Sequence, residues 1–258
     1  MTIVEAIVAR KSIRKYTKDA LKEEVLEDIN SYIKSLKPLA KNLNCKIEIV
    51  KRAEYVKKFS TAFIPVCPDY LVISSDNGKG FLENAGYLGE QVVLYITSLG
   101  MGTCWLGSSR AKSTNAKGAS HIITIAFGRA EGGLRVTGEM PKRIHLHDMI
   151  LSPINDPRVL PMIDAARFAP SAMNLQPVRI LPRGGDMHVF RKVAPFNINA
   201  MEKMYQISAG VALANMFIAG EGSHEVARLA QFPEPPGNYI YVATLIENKD
   251  AEPSESKK

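Results

Sequence analysis

Cysteine is scarce and scattered in this chain: Cys45, Cys67 and Cys104 are the only three in 258 residues. An odd number without close spacing excludes a disulfide framework and a CxxC metal site, and it suits a reducing compartment. A small buried hydrophobe is the simplest role for Cys104. Long apolar runs are missing too. No stretch approaches the roughly 20 consecutive apolar residues of a membrane span, and the N-terminus lacks a signal peptide's order of charge, apolar run and cleavage site. The expectation is a cytoplasmic protein with no membrane partner. Of five histidines only His145 and His147 are close in sequence, and no carboxylate, cysteine or further histidine stands at a companion spacing. This H-x-H pair therefore suits a surface or capping role and no metal is expected. The sequence contains no G-x-S-x-G, G-x-x-x-x-G-K-[ST] or H-E-x-x-H, so hydrolase and nucleoside-triphosphatase readings have no foothold. It also lacks a zinc-finger, RNA-recognition or helix-turn-helix pattern, so no nucleic-acid partner is expected.

What is present begins with length: 258 residues fit one large domain or two small ones at about 100–200 residues each. A hydrophobic share of 46% and a charged share of 23% are those of a globular protein. The net charge of +7 is unevenly placed, because residues 1–150 hold 22 Lys/Arg against 15 Asp/Glu while residues 151–258 hold 11 of each. A basic excess confined to one half suits a bound anion such as a phosphorylated cofactor, and reads equally as a solvated face.

Apolar spacing predicts helices over 2–9 and 20–36, strands over 45–50 and 69–74, a long helix over 84–99 ended by Gly100, and a strand over 121–127. Residues 128–154, richer in Gly and Pro, read as a connection. The order then repeats: a helix over 157–168, strands over 178–181 and 187–190, a long helix over 201–219, and a strand over 239–246. Val25, Leu26 and Ile29 align with Val159, Leu160 and Ile163, and Gly86 with Gln91 aligns with Gly210 and Asn215. An internal duplication follows from this order. The domains expected are 1–150 and 151–248, with a disordered polar tail over 249–258.

Three segments carry candidate chemistry. In ARKSIRKYT, Arg10, Ser12 and Arg14 alternate, so an extended backbone would place two guanidinium groups and a hydroxyl on one face, a suitable grip for a phosphate monoester. Alone, the segment reads as well as a solvated basic edge. In APSAMNLQP, Pro170 and Pro177 bracket Ser171, Asn174 and Gln176 on a rigid polar loop, which could equally be a helix stop with satisfied turn bonds. In GMGTCWLG, the glycines at 100, 102 and 107 close a helix and allow close backbone approach to a flat ligand. A plain helix cap and turn is the competing reading.

Together these three segments resemble the FMN-dependent nitroreductase family over most of the chain. The resemblance implies an α+β fold of mainly antiparallel sheets flanked by helices. It implies that FMN phosphate and ribityl contacts fall to Arg10, Lys11, Ser12 and Arg14, and that Pro170, Ser171, Ala172 and Asn174 lie against the isoalloxazine ring. Leu106 and Gly107 match the place where backbone N–H groups meet the flavin edge, and Lys142 and Arg143 match a basic pair near the phosphate. Gln176 fits a supporting role in the loop.

Relative to ordinary family members the pieces are redistributed. The first half keeps the phosphate segment but has SLKPLAKNLNCKIEIV where the Pro-Ser loop would stand. The second half keeps that loop, has LSPINDPRV in place of Arg-x-Ser-x-Arg, and carries AGEGSHE opposite LGMGTCW. Complementary losses are expected when a homodimer fuses and one of two sites decays. The reading is thus a single-chain pseudo-dimer, a monomer with one FMN per chain. By resemblance it is an oxidoreductase in which NAD(P)H reduces FMN and leaves before a nitroaromatic, quinone or similar electron acceptor takes its place. Two alternatives stay open: a flavin-binding protein with other or no turnover, and a cofactor-free structural protein.

Overall fold

The structure is a computed structural model that describes residues 1–39, 42–62, 65–67, 69–112, 119–136, 139–195, 199–227 and 237–249. The expected disordered tail over 249–258 lies, but for Lys249, outside the described residues. Two units divide the chain, Met1–Pro141 and Lys142–Lys258. This division falls nine residues before the boundary expected from the sequence, because Lys142 to Ile144 bond into the second unit, as described below.

The first unit opens with α1 (Ile3–Ala9), started by a reciprocal capping box in which Thr2 Oγ1 accepts from Glu5 N at 3.1 Å and Glu5 Oε2 accepts from Thr2 N at 2.7 Å. An extended segment follows, then α2 (Glu23–Ser35), whose narrow apolar face buries Leu26 and Ile29. The remaining elements are β1 (Cys45–Lys51), α3 (Arg52–Lys58), β2 (Phe59–Ser60), β3 (Asp69–Ser75), α4 (Phe81–Ser98), β4 (Gly102–Leu106), β5 (Arg110–Ala111) and β6 (Ser120–Gly128). Antiparallel pairing gives a sheet of order β1-β3-β6-β4. Edge strand β1 alternates between half-buried and exposed positions, whereas central β3 is buried at nearly every residue, as expected for a strand covered on both faces.

The second unit contains α5 (Leu146–Met149), a 3-10 turn at Pro157–Val159, α6 (Leu160–Phe168), β7 (Val178–Arg183), β8 (Asp186–Lys192), α7 (Asn199–Ala219), β9 (His224–Ala227) and β10 (Tyr239–Glu247). Its antiparallel sheet has the order β7-β8-β10-β9. In each unit a helix precedes the sheet's first strand, a long helix follows the second strand, and the last two strands of the sheet exchange places.

The glycine-rich segment differs from its sequence reading. Gly100, with φ of 81°, does end α4: its N–H bonds Thr97 O at 2.9 Å and the next N–H bonds Ile96 O at 3.3 Å. From Gly102 onward, however, the chain is the edge strand β4 and not a turn. Thr103, Cys104 and Trp105 suit a strand, and the flanking glycines concealed it. Gly102 lets the segment after α1 lie close to β4, since a Cβ there would sit 2.6–2.9 Å from three side-chain atoms of Ile13. Ser12 bridges Thr103 in parallel, and Ile13 N donates to Thr103 O at 2.9 Å. Gly102→Ala is therefore expected to destabilise the protein by about 1–3 kcal/mol, the range for overpacking a filled site. Thermal unfolding beside Gly132→Ala, where a Cβ meets nothing within 4 Å, checks this; equal melting temperatures would refute it.

Candidate cofactor site

The basic segment ARKSIRKYT does not present Arg10, Ser12 and Arg14 alike. Arg10 caps the C-terminus of α1 and turns inward to 4% exposure, Ser12 is half-buried at the β4 edge, Ile13 and Tyr16 pack into the core, and Arg14 is exposed. Lys11 is half-buried. The inward positions fall three apart, so strict alternation fails. Tyr16 holds this path by donating to Ile13 O at 2.6 Å, with Ala126 O at 3.3 Å. Both arginine charges still bear on the buried Cys104 thiol, whose pKa burial pushes up while the two guanidinium groups pull it down.

Arg10 meets Glu90, from the middle of α4. Its Nε lies 4.0 Å from Glu90 Oε1, and Glu90 Oε2 accepts the Trp105 indole N–H at 2.9 Å. Glu90 is fully buried. Burial pushes its carboxyl up to about 7, against the lowering effects of Arg10 and Trp105. Burial likewise pushes the Arg10 guanidinium down, Glu90 opposing it and Arg135 adding to it. Arg135 Nη2 donates to Arg10 O at 3.0 Å, and Arg135 N bonds Ala9 O at 2.8 Å. Arg10 Nε and Nη1, Thr103 Oγ1 and Arg135 Nε are buried with no hydrogen-bond partner among the described residues. Buried donors of positive charge without acceptors fit an anionic group such as a phosphate.

Leu106 ends β4 and Gly107 follows it. The Leu106 side chain is part of the core, and Gly107 is exposed in a turn where Ser109 N bonds Leu106 O at 2.9 Å. Ser108 ties that turn to Thr61 Oγ1 at 2.7 Å and to Ala62 N at 3.1 Å.

The second unit's loop is bent through three left-handed residues, Met173, Asn174 and Gln176, with φ of 47–58°. Such backbone is held only by surrounding bonds. Ser171 Oγ accepts Gln176 N at 3.0 Å, and Gln176 Oε1 accepts Ile144 N at 2.9 Å. Arg143 donates to Asn174 Oδ1 at 2.9 Å and to Phe168 O at 3.1 Å, and Asn174 Nδ2 donates to Lys142 O at 3.1 Å. Lys142 and Arg143, matched by resemblance to a basic pair near the phosphate, thus brace the loop through main chain and guanidinium. Pro170 and Ser171 line a cleft with Ala166 and Ser208. Ala172 N donates to Ser208 Oγ at 3.3 Å. Met173 stands 75% exposed at the loop's tip. His145 and His147 stack at 5.4 Å with Asp148 beside His147. Among the described residues no group of three or more potential metal ligands occurs, and no helix is long and apolar enough to cross a membrane.

No sequence motif points to Glu90, Thr103 or Arg135. One signal was available for the first: a lone carboxylate inside the apolar run LGEQVVLYI, 15 residues before the only tryptophan.

The mixed helix and sheet fold, with its two antiparallel four-stranded sheets, is a nitroreductase-like fold. The family model described as "Putative TM nitroreductase" matches residues 2–220, and the chain belongs to that family. Among solved structures the chain is similar to one described as a "putative nitroreductase" from Thermotoga maritima, at 22% identity and a TM-score of 0.65, over 96% of this chain and 94% of that one. It is also similar, at 17% identity and a TM-score of 0.47, to one described as a "putative nitroreductase in complex with FMN" from Desulfovibrio desulfuricans, over 60% of this chain and 99% of that one. A third is the NADPH:FMN oxidoreductase from Vibrio harveyi complexed with NAD+, at 15% identity and a TM-score of 0.46, over 60% and 77%. No curated protein matches.

Proposed function

We propose that this protein is an FMN-dependent oxidoreductase that takes reducing equivalents from NADH or NADPH and delivers them to a nitroaromatic, quinone or similarly electron-poor small molecule. The observation that carries the reading is the buried Arg10 guanidinium with two nitrogens unpartnered among the described residues, in a chain of the nitroreductase family. FMN, when bound, supplies the hydride and electron transfer itself, so the protein needs no acid–base side chain of its own. The chain's part is to bind and orient. Arg10, Ser12 and Arg14 grip the phosphate, with Lys11 beside them, and the N–H groups of Leu106 and Gly107 meet the flavin edge. Pro170, Ser171, Ala172 and Asn174 are assigned to the ring by resemblance. Donor and acceptor use the cofactor in turn, which predicts parallel double-reciprocal plots.

The same proposal includes a fused, duplicated origin and a monomer with a single flavin. The repeated strand order, β1-β3-β6-β4 against β7-β8-β10-β9, supports it. The test is the visible spectrum and flavin content of protein incubated with FMN and desalted, followed by NAD(P)H oxidation with a nitroaromatic. The expected result is about one FMN per chain and turnover. Two per chain would overturn the single site, bound flavin without turnover would favour a binding protein, and a colourless protein would overturn the reading.

A further inference from the structure

We propose that Glu90 is a positioning residue that holds Arg10 by charge and surrenders that charge, by taking up a proton, when a phosphate group engages the guanidinium. The inference rests on the reading of Arg10 as a phosphate ligand.

The pair is loose in a way that suits exchange. At 4.0 Å, Arg10 Nε and Glu90 Oε1 attract each other without forming a hydrogen bond, so Oε1, Nε and Nη1 are all unpartnered although fully buried. Glu90 is anchored on its other oxygen by Trp105. A dianionic phosphate at Arg10 acts on this carboxylate twice. It diverts the positive charge that stabilises the ionised form, and it brings its own negative charge near. Both changes favour the protonated acid. The carboxyl stands at about 7 beforehand, so the proton would be taken from neutral or mildly alkaline solution.

Among the described residues, Arg10 and the Trp105 indole are the groups that shift the Glu90 carboxyl. The segment after α1 contributes Arg10, backed by Arg135, and β4 contributes the Trp105 indole and the Cys104 thiol, which bears on Arg10. α2 presents Tyr32, stacked on Tyr95 of α4, and β3 presents Ile73 beside Gly89. α1, β1 and β6 also pack on α4. The Cys104 thiol is pushed above its ordinary value. The second unit serves as an internal comparison: aligning Gly86 with Gly210 and LGMGTCW with AGEGSHE places Ala214 opposite Glu90 and Glu225 opposite Trp105. The half without an Arg-x-Ser-x-Arg segment therefore lacks the acid and its indole anchor as well.

Binding coupled to proton uptake weakens as protons become scarce. FMN affinity of the apoprotein, followed by flavin fluorescence quenching between pH 7 and 9, is expected to fall toward about tenfold per pH unit. The phosphate of FMN is already dianionic across that range, its second pKa being near 6. Riboflavin, which lacks the phosphate, is expected to show no such slope, and Glu90→Gln is expected to flatten the FMN profile. Calorimetry in buffers of different ionisation enthalpy should show proton uptake with FMN and none in the Gln variant. Should Glu90→Gln fail to fold, Trp105→Phe replaces it: losing the indole N–H lifts the carboxyl further and moves the weakening to higher pH. FMN binding that is flat with pH, equally steep in Glu90→Gln, or unshifted in Trp105→Phe, overturns this inference and leaves the proposed function standing. Absence of FMN binding at every pH overturns both.

Discussion

Between pH 4.5 and 8 the Glu90→Gln protein is expected to gain about 3 kcal/mol of stability on its parent. In the unfolded chain Glu90 titrates near 4.5, and in the folded protein burial pushes it up to about 7. Within that interval the native state holds a proton that the unfolded state has released, so parental stability falls as pH rises. The loss is complete above about 7, where both states are ionised. At about 1.4 kcal/mol per pH unit, the interval is worth about 3 kcal/mol. Glutamine keeps an oxygen for the Trp105 indole and carries no titratable proton, so its profile lacks this slope. It leaves Arg10 without a counter-charge, but the arginine stays protonated throughout and adds only a pH-independent offset. Urea unfolding of both apoproteins at pH 5, 6, 7 and 8 measures the difference. Parallel stability curves would show that the folded carboxyl is not raised.

The sequence made the long elements legible because apolar spacing dominates them. α4 and α7 are buried along most of their length, and the apolar runs over 69–74 and 121–127 belong to central strands β3 and β6. Local signals failed where burial was decided by partners far away in sequence. β4 was hidden because Gly102, required by Ile13 from the opposite end of the unit, reads as a breaker. RAEYVKK is short and charged, yet it forms α3 because Tyr55 stacks on Tyr70 at 3.9 Å and Phe59 at 5.1 Å.

At the candidate site the residue types were readable and their orientations were not. Strict alternation over Arg10, Ser12 and Arg14 presumes a regular strand. The observed path departs from it because α1 ends on Arg10 with a helical cap bond to Ala6 O at 2.9 Å and because both Ile13 and Tyr16 turn inward. That departure puts Arg10 against Glu90 and leaves Arg14 in solvent. The loop's polar side chains were likewise legible as a set. Their engagement with Lys142, Arg143 and Ile144 depends on left-handed backbone at Met173, Asn174 and Gln176, which no residue preference announces for a methionine or a glutamine.

Replacing Arg10 and Arg14 together by alanine is expected to weaken FMN binding by about 10²–10⁴-fold. Each guanidinium would give the phosphate a charge-assisted hydrogen bond worth about 1.5–3 kcal/mol, and about 1.4 kcal/mol is a factor of ten in affinity. The two contributions differ in kind. Arg14 is exposed, so its share shrinks as salt screens it, whereas Arg10 is buried and its share persists. Removing Arg10 also takes from Glu90 the charge that lowers its carboxyl, so the acid stays protonated to higher pH and no unpaired buried carboxylate remains near neutrality. The double variant should therefore fold, and Arg14→Ala alone supplies a milder test in which the buried pair is untouched. Flavin retained after gel filtration, and fluorescence titration with FMN and with riboflavin, separate the outcomes. A loss confined to FMN locates the phosphate grip on this segment. Equal loss of both flavins would place the effect on the ring or the fold, and an unchanged FMN affinity would show that the buried guanidinium serves only its carboxylate.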